Sequence, residues 1–263
     1  MKIGLLVSLP RESKLYFESL NLSVEENNKR LFYAGKIDNN EIVLLHTHCG
    51  PANAASSTES IILNYHPDFI IKTGSCGSHS EALLPGDVVI GTKYRIMYNP
   101  YENESSSEHA QVQHLIRFYR LSEDVKHESI EISEDLKSLA KKVLTKVRLD
   151  PIFTKDKWAT SIEYRNPTIA EGVIGSNETW TTEHGLIYKK RELFQHDVED
   201  KESAYIAQIC KLQEVPFIAF LGVSDNELVF KLKDNTEIKR AIEYAGRNAA
   251  TVALEFINEL FKK

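Results

Sequence analysis

This 263-residue chain contains few cysteines and has no excess of basic over acidic residues. The three cysteines, Cys49, Cys76 and Cys210, are too few for a disulfide framework and lack the spacing of a zinc finger. The net charge of -6 gives no electrostatic basis for binding nucleic acid or an anionic membrane. No apolar run approaches the roughly 20 residues of a membrane span, and no signal-peptide core precedes the first strand. These absences favour a globular protein of the reducing cytoplasm.

Metal and cofactor signatures are also missing. His46, His48 and His66 lack metal-ligand spacing with a carboxylate partner, and a core or surface position explains them. No segment matches a cofactor-binding motif. We therefore expect neither a metal nor a cofactor.

Apolar residues make up 42% of the chain, which is enough at this length for one large α/β domain. Continuous apolar runs predict strands, and apolar residues at helical spacing predict helices. Their alternation after the first strands is typical of an α/β protein. The predicted strands are 2–7, 31–34, 41–47, 69–73, 87–91, 171–174 and 217–223. The predicted helices are 12–17, 52–65, 134–147, 203–212 and 236–261.

The apolar run 215–223 stops abruptly at Ser224 and Asp225. A continuous apolar run indicates a strand that is buried on both faces of a sheet. In open α/β sheets, ligands bind beyond the carboxyl ends of such strands. Asp225 is therefore either a catalytic residue or the cap of a following turn or helix.

A second apolar run, 67–73, leads into a predicted turn of Gly74, Ser75, Cys76 and Gly77. Glycines allow the backbone to approach a ligand closely, and the amides with the Ser75 hydroxyl can hold a phosphate or sugar hydroxyls. A turn that merely links a strand to a loop has the same composition. The segment is thus a candidate ligand site that needs support from elsewhere in the chain.

Taken together, these segments resemble those of the nucleoside phosphorylase and nucleosidase superfamily, in the same order and over nearly the whole chain. The resemblance implies one domain, 1–263, with a mixed, partly barrel-like central sheet flanked by helices. The segments that carry it are 1–6, 8–12, 48–55, 73–77, 85–90, 175–180, 200–204 and 223–225.

The resemblance implies cleavage of the N-glycosidic bond of a purine nucleoside. Such an enzyme protonates the leaving base, stabilises a cationic sugar and delivers a nucleophile. Asp225 is the implied acid, oriented by Ser224, and Glu202 is the implied carboxylate that binds the ribose hydroxyls. Glu12 lies where the hydrolytic branch has the glutamate that activates water. Without the resemblance, Glu202 would be interpreted as a solvent-exposed glutamate in the first turn of a helix that follows an acidic segment.

Water and phosphate both remain open as the nucleophile. Arg11 adjoins Glu12, and Lys72 precedes the Gly-Ser segment where phosphorylases carry an arginine, so the two are possible phosphate ligands. A carboxylate at position 12 repels phosphate, which binds to forks of donors. We therefore predict a nucleosidase that hydrolyses a purine nucleoside or 5′-modified adenosine. The alternatives are a phosphorylase and a non-catalytic nucleoside-binding protein.

The remaining implied contacts are to the small-molecule substrate. Lys201 replaces the methionine that packs beneath the ribose, and it either meets an anionic 5′ substituent, pairs with Glu12 or points to solvent. Trp180, in preference to Thr179, is the implied stacking aromatic, with an ordinary core position as the alternative. Phe230 would cover the far side of the base. The implied binding set is Ser224, Ser75, Gly74, Cys76, Lys201, Trp180, Cys49 and Phe230.

The polar, Ser-rich part of segment 94–132 breaks the globular pattern and predicts a loop insertion. Relatives of the resembled family often use this region to reach a partner subunit's active site. We therefore expect a homodimer or a higher homo-oligomer, with no nucleic-acid or membrane partner.

Overall fold

The computed structural model describes residues 1–97, 129–152, 165–229, 232 and 234–262. Most of the predicted insertion within 94–132 lies outside these residues, and so does Phe230. The insertion and the role of Phe230 therefore stay predictions. None of the described helices is long and apolar enough to cross a membrane.

The described strands join into one ten-stranded sheet. Strands 2–7 and 217–223 were predicted within two residues of their observed ends, since both are continuous apolar runs buried on both faces. The strands are β1 (Lys2–Val7), β2 (Ser23–Asn27), β3 (Arg30–Ile37), β4 (Asn40–His46), β5 (Phe69–Ser78), β6 (Val88–Ile96), β7 (Ile130–Glu131), β8 (Ile169–Ser176), β9 (Val198–Asp200) and β10 (Phe217–Asp225).

The helices lie between and around these strands. A short 3-10 helix (Pro10–Ser13) precedes the first α-helix, because Pro10 suits the first position of a helix and the chain turns sharply after β1. The α-helices are α1 (Lys14–Ser19), α2 (Pro51–Tyr65), α3 (Glu134–Leu144), α4 (His184–Phe194), α5 (Ser203–Leu212) and α6 (Asn235–Phe261).

Five of the strands close into a barrel. β10 pairs in parallel with β5 and antiparallel with β6. β6 pairs in parallel with β8, β8 in parallel with β9, and β9 antiparallel with β5, which completes the ring. The order β1, β4, β3, β2 extends the sheet outward from β5. The predicted mixed, partly barrel-like sheet flanked by helices is thus confirmed.

This topology brings several chain segments to one edge. β1 and β5 are parallel, and so are β5 and β10, so the residues at their carboxyl ends lie side by side. Helix α6 packs closely on this part of the barrel. A Cβ at Gly222 would lie 2.0 Å from the Ala245 carbonyl oxygen, so only a glycine permits that approach.

The predicted turn 74–77 is wrong, because these residues continue strand β5. Gly74 and Ser75 stand opposite Leu221 and Gly222 of β10, and Gly77 stands opposite Glu199 of β9. Barrel closure supplies partners to a segment whose composition alone suggested a turn. Asp225 is likewise the last residue of β10, after a register shift, and not the cap of a later element.

Three strands and one helix were not predicted at all. β2 has an exposed, acidic sequence, and β7 and β9 contain only two and three residues. Helix α4 buries only Ile187, Lys190 and Phe194, so its apolar pattern is weak. Each of these elements depends on its neighbours in the fold more than on its own composition.

Candidate active site

A cleft opens at the carboxyl ends of β1, β5, β9 and β10, with about 750 Å³ of space that is partly open to solvent. All three predicted catalytic carboxylates, Glu12, Glu202 and Asp225, line it. Six of the predicted binding residues also line it: Cys49, Ser75, Cys76, Trp180, Lys201 and Ser224. The structure therefore gathers residues from six separate segments of the chain around one space.

Asp225 lies at one end of the cleft and is only 8% exposed. Its Oδ1 accepts a hydrogen bond of 2.5 Å from the Ser224 hydroxyl. Its buried Oδ2 has no hydrogen bond of ordinary geometry, although the Trp180 indole N–H is close enough to lower the pKa. Burial dominates and raises the pKa of Asp225 to about 6. This carboxyl group is therefore suited to hold a proton near neutral pH and to donate it.

Ser224 is held in turn by the barrel, because its hydroxyl lies 3.1 Å from the Cys76 carbonyl oxygen on β5. Gly77 on the same strand faces Asp225, and a Cβ there would lie 3.0 Å from Asp225 Oδ2. Cys76 is buried, and burial raises the pKa of its thiol, which packs at 3.4 Å from the Gly222 carbonyl oxygen. The β5 segment thus shapes the space beside the acid.

Glu12 lies at the opposite end of the cleft and is 2% exposed. Its Oε1 accepts hydrogen bonds from the Ser75 amide at 2.8 Å and the Ser75 hydroxyl at 2.6 Å. Its Oε2 accepts a bond of 2.8 Å from the Leu9 amide within the 3-10 turn. Both oxygens therefore act as acceptors, as those of an ionised carboxylate do. Gly246 of α6 leaves room for Glu12, since a Cβ there would lie 2.7 Å from the Glu12 Cβ.

Glu202 is the N-cap residue of α5 and lies at the same end of the cleft as Glu12, since both carboxylates approach Lys72. Its Oε2 accepts a hydrogen bond of 2.9 Å from the Ser8 hydroxyl, and its Oε1 accepts one of 2.8 Å from the Gly50 amide. Burial raises the pKa of Glu202, and the Lys72 ammonium opposes that rise. The residue is 4% exposed, so the solvated alternative that its acidic sequence context suggested is wrong.

Asp200 organises the turn that presents Glu202. Its carboxylate accepts hydrogen bonds from the hydroxyls of Ser176 and Ser203, both at 2.5 Å, and from the Ser203 amide. The Ser176 hydroxyl in turn accepts a bond from the Ala204 amide. The start of α5 is therefore tied to β8 and β9, which fixes Glu202 relative to the barrel.

The two possible phosphate ligands do not line the cleft. Lys72 is 0% exposed and lies behind it, bonded to Ser8 and to its own strand. Arg11 lines a neighbouring pocket with Lys14 and Arg247. Gly74 also lies behind the cleft wall, where a Cβ would come 2.8 Å from Lys72 Nζ. Its contribution is the space it leaves for Lys72 and Glu12.

Trp180 is 46% exposed at the cleft, so its alternative as an ordinary core residue is wrong. The next residue, Thr181, anchors its segment: its amide and hydroxyl donate to Glu199 at 2.8 and 2.7 Å. Glu199 is also paired with the buried Lys190 at 3.2 Å. A buried network therefore holds the Trp180 segment beside Asp225.

Lys201 and Cys49 complete the polar lining near Glu202. No ion pair joins Lys201 to Glu12 among the described residues, so that alternative finds no support in the geometry. Burial and the nearby Glu202 carboxylate raise the pKa of the Cys49 thiol. Within the described ranges, no group of three or more His, Cys, Asp or Glu side chains is arranged to hold a metal ion.

Sequence reasoning missed several residues of the cleft. Ser8 was included only as part of segment 8–12, with no role of its own, and Glu199 lies in β9, a strand that was not predicted. Ile238 and Ile242 belong to an apolar helical stripe that fits simple packing, yet they also line the cleft with Leu9 and Leu232. Their periodicity contains no signal that separates a cleft wall from a core.

Known proteins share this architecture. A 5′-methylthioadenosine/S-adenosylhomocysteine nucleosidase of Halalkalibacterium halodurans is 26% identical over 262 residues, which span 98% of this chain and 99% of the relative. One from Bacillus pumilus is 23% identical over 261 residues, with coverage of 98% and 99%.

Solved structures agree on the fold. The nucleosidase of the same name from Colwellia psychrerythraea, in complex with adenine, superposes with a TM-score of 0.75 at 22% identity, covering 99% of this chain and 96% of that one. Futalosine hydrolase of Helicobacter pylori gives a TM-score of 0.74 at 19% identity, with 98% of both chains covered. The family model of the phosphorylase superfamily matches residues 2–258, and this chain therefore belongs to that superfamily.

Proposed function

We propose that this protein is a nucleosidase that hydrolyses the N-glycosidic bond of a purine nucleoside or 5′-modified adenosine, releasing base and sugar. The observation that carries the proposal is the meeting of Asp225, Glu12 and Glu202 in one cleft, in three different environments. Relatives of similar length are named as nucleosidases, which supports the same reaction class.

Asp225 serves as the general acid. Its pKa of about 6 leaves a substantial protonated fraction just below neutral pH, and its Oδ2 is free of strong partners. Donating that proton to N7 of the purine lets the base accept the electron pair of the breaking bond to C1′. Ser224 orients the carboxyl group through its bond to Oδ1. The exposed face of Trp180 stacks on the base beside it.

Glu202 and Glu12 act on the sugar side. Glu202 accepts hydrogen bonds from ribose hydroxyls and stabilises the positive charge that develops on the ring. Glu12 takes a proton from the water whose oxygen bonds to C1′, while Ser75 holds the carboxylate in place. The bond from C1′ to the base breaks, the new bond to oxygen forms, and both protons are accounted for.

The geometry favours water over phosphate. A phosphate dianion needs several unengaged donors, yet Lys72 is buried with its ammonium bonded to Ser8 and the Thr73 carbonyl. Arg11 lines the neighbouring pocket, and Glu12, which lines both pockets, adds a carboxylate that repels phosphate. The two residues predicted as phosphate ligands therefore form no cationic site in this cleft.

The 5′ substituent and the assembly are finer parts of the proposal. Lys201 lines the cleft beside Glu202, and we propose that it contacts a polar or anionic 5′ substituent. We also propose a homodimer or higher homo-oligomer, which light scattering of the purified protein will test. Three free cysteines, two of them buried, fit action in the reducing cytoplasm.

The test is incubation of the purified protein with a panel of purine nucleosides, including 5′-thio-substituted adenosines, with and without phosphate. Chromatography resolves the products. Free base and free sugar in phosphate-free buffer are expected. A sugar 1-phosphate that forms only with phosphate would establish the phosphorylase alternative, and ligand binding without any product would establish a non-catalytic binding protein.

A further inference from the structure

Lys72 is a fully buried lysine in the middle of β5. It lies directly behind the end of the cleft that holds Glu12 and Glu202, called the sugar end below; the end that holds Asp225 and Trp180 is called the base end. Its ammonium donates to the Ser8 hydroxyl at 2.7 Å and to the Thr73 carbonyl oxygen at 2.9 Å. Glu202 Oε2 lies 4.0 Å away, and Ser8 bridges the two by donating to that same oxygen at 2.9 Å. A continuous chain of polar contacts therefore leads from Lys72 to Glu202.

The same ammonium also lies close to Glu12. A Cβ built on Gly74 would be 2.8 Å from Lys72 Nζ and 3.2 Å from Glu12 Oε2, so both atoms crowd the one position that glycine leaves empty. Lys72 is thus the buried cation that stands between two carboxylates from different parts of the chain. Any side chain at position 74 would intrude on that arrangement.

The position of Lys72 has an electrostatic consequence for the two carboxylates. Two carboxylates buried in one cleft repel each other, and removing each from water is costly. An ammonium has three protons to donate, of which two are used by Ser8 and Thr73, and its charge acts on both carboxylates at short range. Its solvent-free position means that this charge is weakly screened.

We propose that Lys72 is a positioning residue whose buried charge keeps Glu202 anionic and holds Glu12 and Glu202 side by side for the reaction at the sugar. The inference rests on the proposed function, because it concerns the carboxylates that bind the ribose and activate water. Lys72 acts through Ser8 and the two carboxylates, and it does not line the cleft itself.

The groups around Glu202 predict the direction in which its pKa changes when Lys72 is replaced. Burial and Asp200 of β9 raise the pKa of Glu202, while Lys72 of β5, the Gly50 amide and the Ser8 hydroxyl lower it. Three further titratable or charged neighbours of the cleft, Cys49, Glu12 and Lys201, remain in place when Lys72 is replaced. Loss of the ammonium therefore lets Glu202 bind a proton at a higher pH.

The experiment compares the pH profile of kcat/KM for the wild type, Lys72→Met and Lys72→Gln. Methionine keeps the shape without charge or donor, and glutamine keeps a donor without charge. We expect the acid limb to move up by about 1 pH unit or more in both variants. We expect kcat to fall more than KM rises, because the ribose contact strengthens as the sugar becomes cationic.

Lys190→Met is the matched control. Lys190 is also 0% exposed and pairs with a carboxylate of the cleft, Glu199, but it lies at the base end. Its replacement should lower thermal stability as much as that of Lys72 while leaving the acid limb where it is. Ser8→Ala provides a second route if the Lys72 variants do not fold, since it breaks the bridge to Glu202 and should shift the same limb in the same direction.

The outcomes separate this inference from the proposed function. If the wild type releases free base and sugar, and Glu202→Gln slows it, the function stands. An unchanged acid limb in both Lys72 variants, or in Ser8→Ala, then overturns the inference alone. If the acid limb shifts in Lys72→Met but not in Lys72→Gln, a hydrogen bond from position 72 is sufficient. That result would likewise overturn the role of charge.

Discussion

The two ends of the cleft bury their carboxylates to almost the same extent but surround them differently. At the sugar end, Glu12 is 2% exposed and accepts three hydrogen bonds, and Glu202 is 4% exposed beside a buried ammonium. At the base end, Asp225 is 8% exposed, and a single hydroxyl bonds to only one of its oxygens. Burial alone therefore does not separate the residues.

The two ends differ in the hydrogen-bond donors and charged groups that surround their carboxylates. Donors and a cation oppose the rise in pKa that burial causes, as they do at Glu202, whereas at Asp225 donors are few and burial favours the protonated form. One cleft thus obtains a base and an acid from chemically similar side chains. In the proposed reaction, the acid protonates the leaving base, and the anions stabilise the positive charge that develops on the sugar.

Replacing the acid should have the largest effect. Asp225→Asn preserves the shape and the acceptor for Ser224 but has no acidic proton to donate, so kcat should fall by about 10²- to 10⁴-fold. Steady-state kinetics on the best substrate of the panel measures this. Calorimetric binding of the free base should change little, and retention of turnover within about tenfold would contradict the assignment of acid and base to the two ends.

Glu12→Gln should lower kcat by about 10²-fold with a smaller change in KM, because glutamine cannot take a proton from water. The adjacent Arg11→Gln is the matched comparison, since Arg11 lines only the neighbouring pocket and not the cleft. Phosphate dependence of each variant is followed alongside turnover. A larger loss in Arg11→Gln than in Glu12→Gln would instead favour phosphate as the nucleophile.

Trp180→Ala should weaken binding of substrate and free base by about tenfold, since stacking on an aromatic face contributes roughly 1–3 kcal/mol per base. Thr179→Ala, one position earlier, controls for the segment and tests the other candidate for the stacking position. Inhibition by the product base gives the affinity directly. An equal loss in both variants would mean that the segment, and not the indole, supports the base.

The last expected effect is on stability, and it has opposite signs at the two ends. The pKa of Asp225 is raised from 3.8 to about 6 in the folded protein, so folding is favoured at low pH and this contribution is lost as pH rises through 6. Asp225→Asn should therefore stabilise the protein at pH 7.5 by up to about 3 kcal/mol, and by less at pH 4. Chemical unfolding at both pH values measures it.

At the sugar end the corresponding change should destabilise. Glu12→Gln places an amide where three donors point, which costs about 1–3 kcal/mol at the same pH. Stabilisation by Glu12→Gln, or destabilisation by Asp225→Asn, would remove the contrast between the two ends.

Much of the fold and part of the site followed from local patterns. The apolar runs of β1 and β10 and the periodicity of α5 and α6 placed those elements closely, because each is determined by burial of its own side chains. β9 and α4 escaped prediction because pairing partners and a buried ion pair stabilise them.

The sequence by itself placed Asp225 at the end of a buried apolar strand, and the resemblance implied the reaction class and the roles of Glu12 and Glu202. Only the tertiary structure decided where Lys72 lies: its position in the chain fits a phosphate ligand, but its ammonium is buried and bonded to Ser8. The same holds for Asp225 and Glu12, whose different surroundings come from strands far away in the chain. Protonation and hydrogen bonding depend on neighbours in space, and barrel closure is what brings those neighbours together.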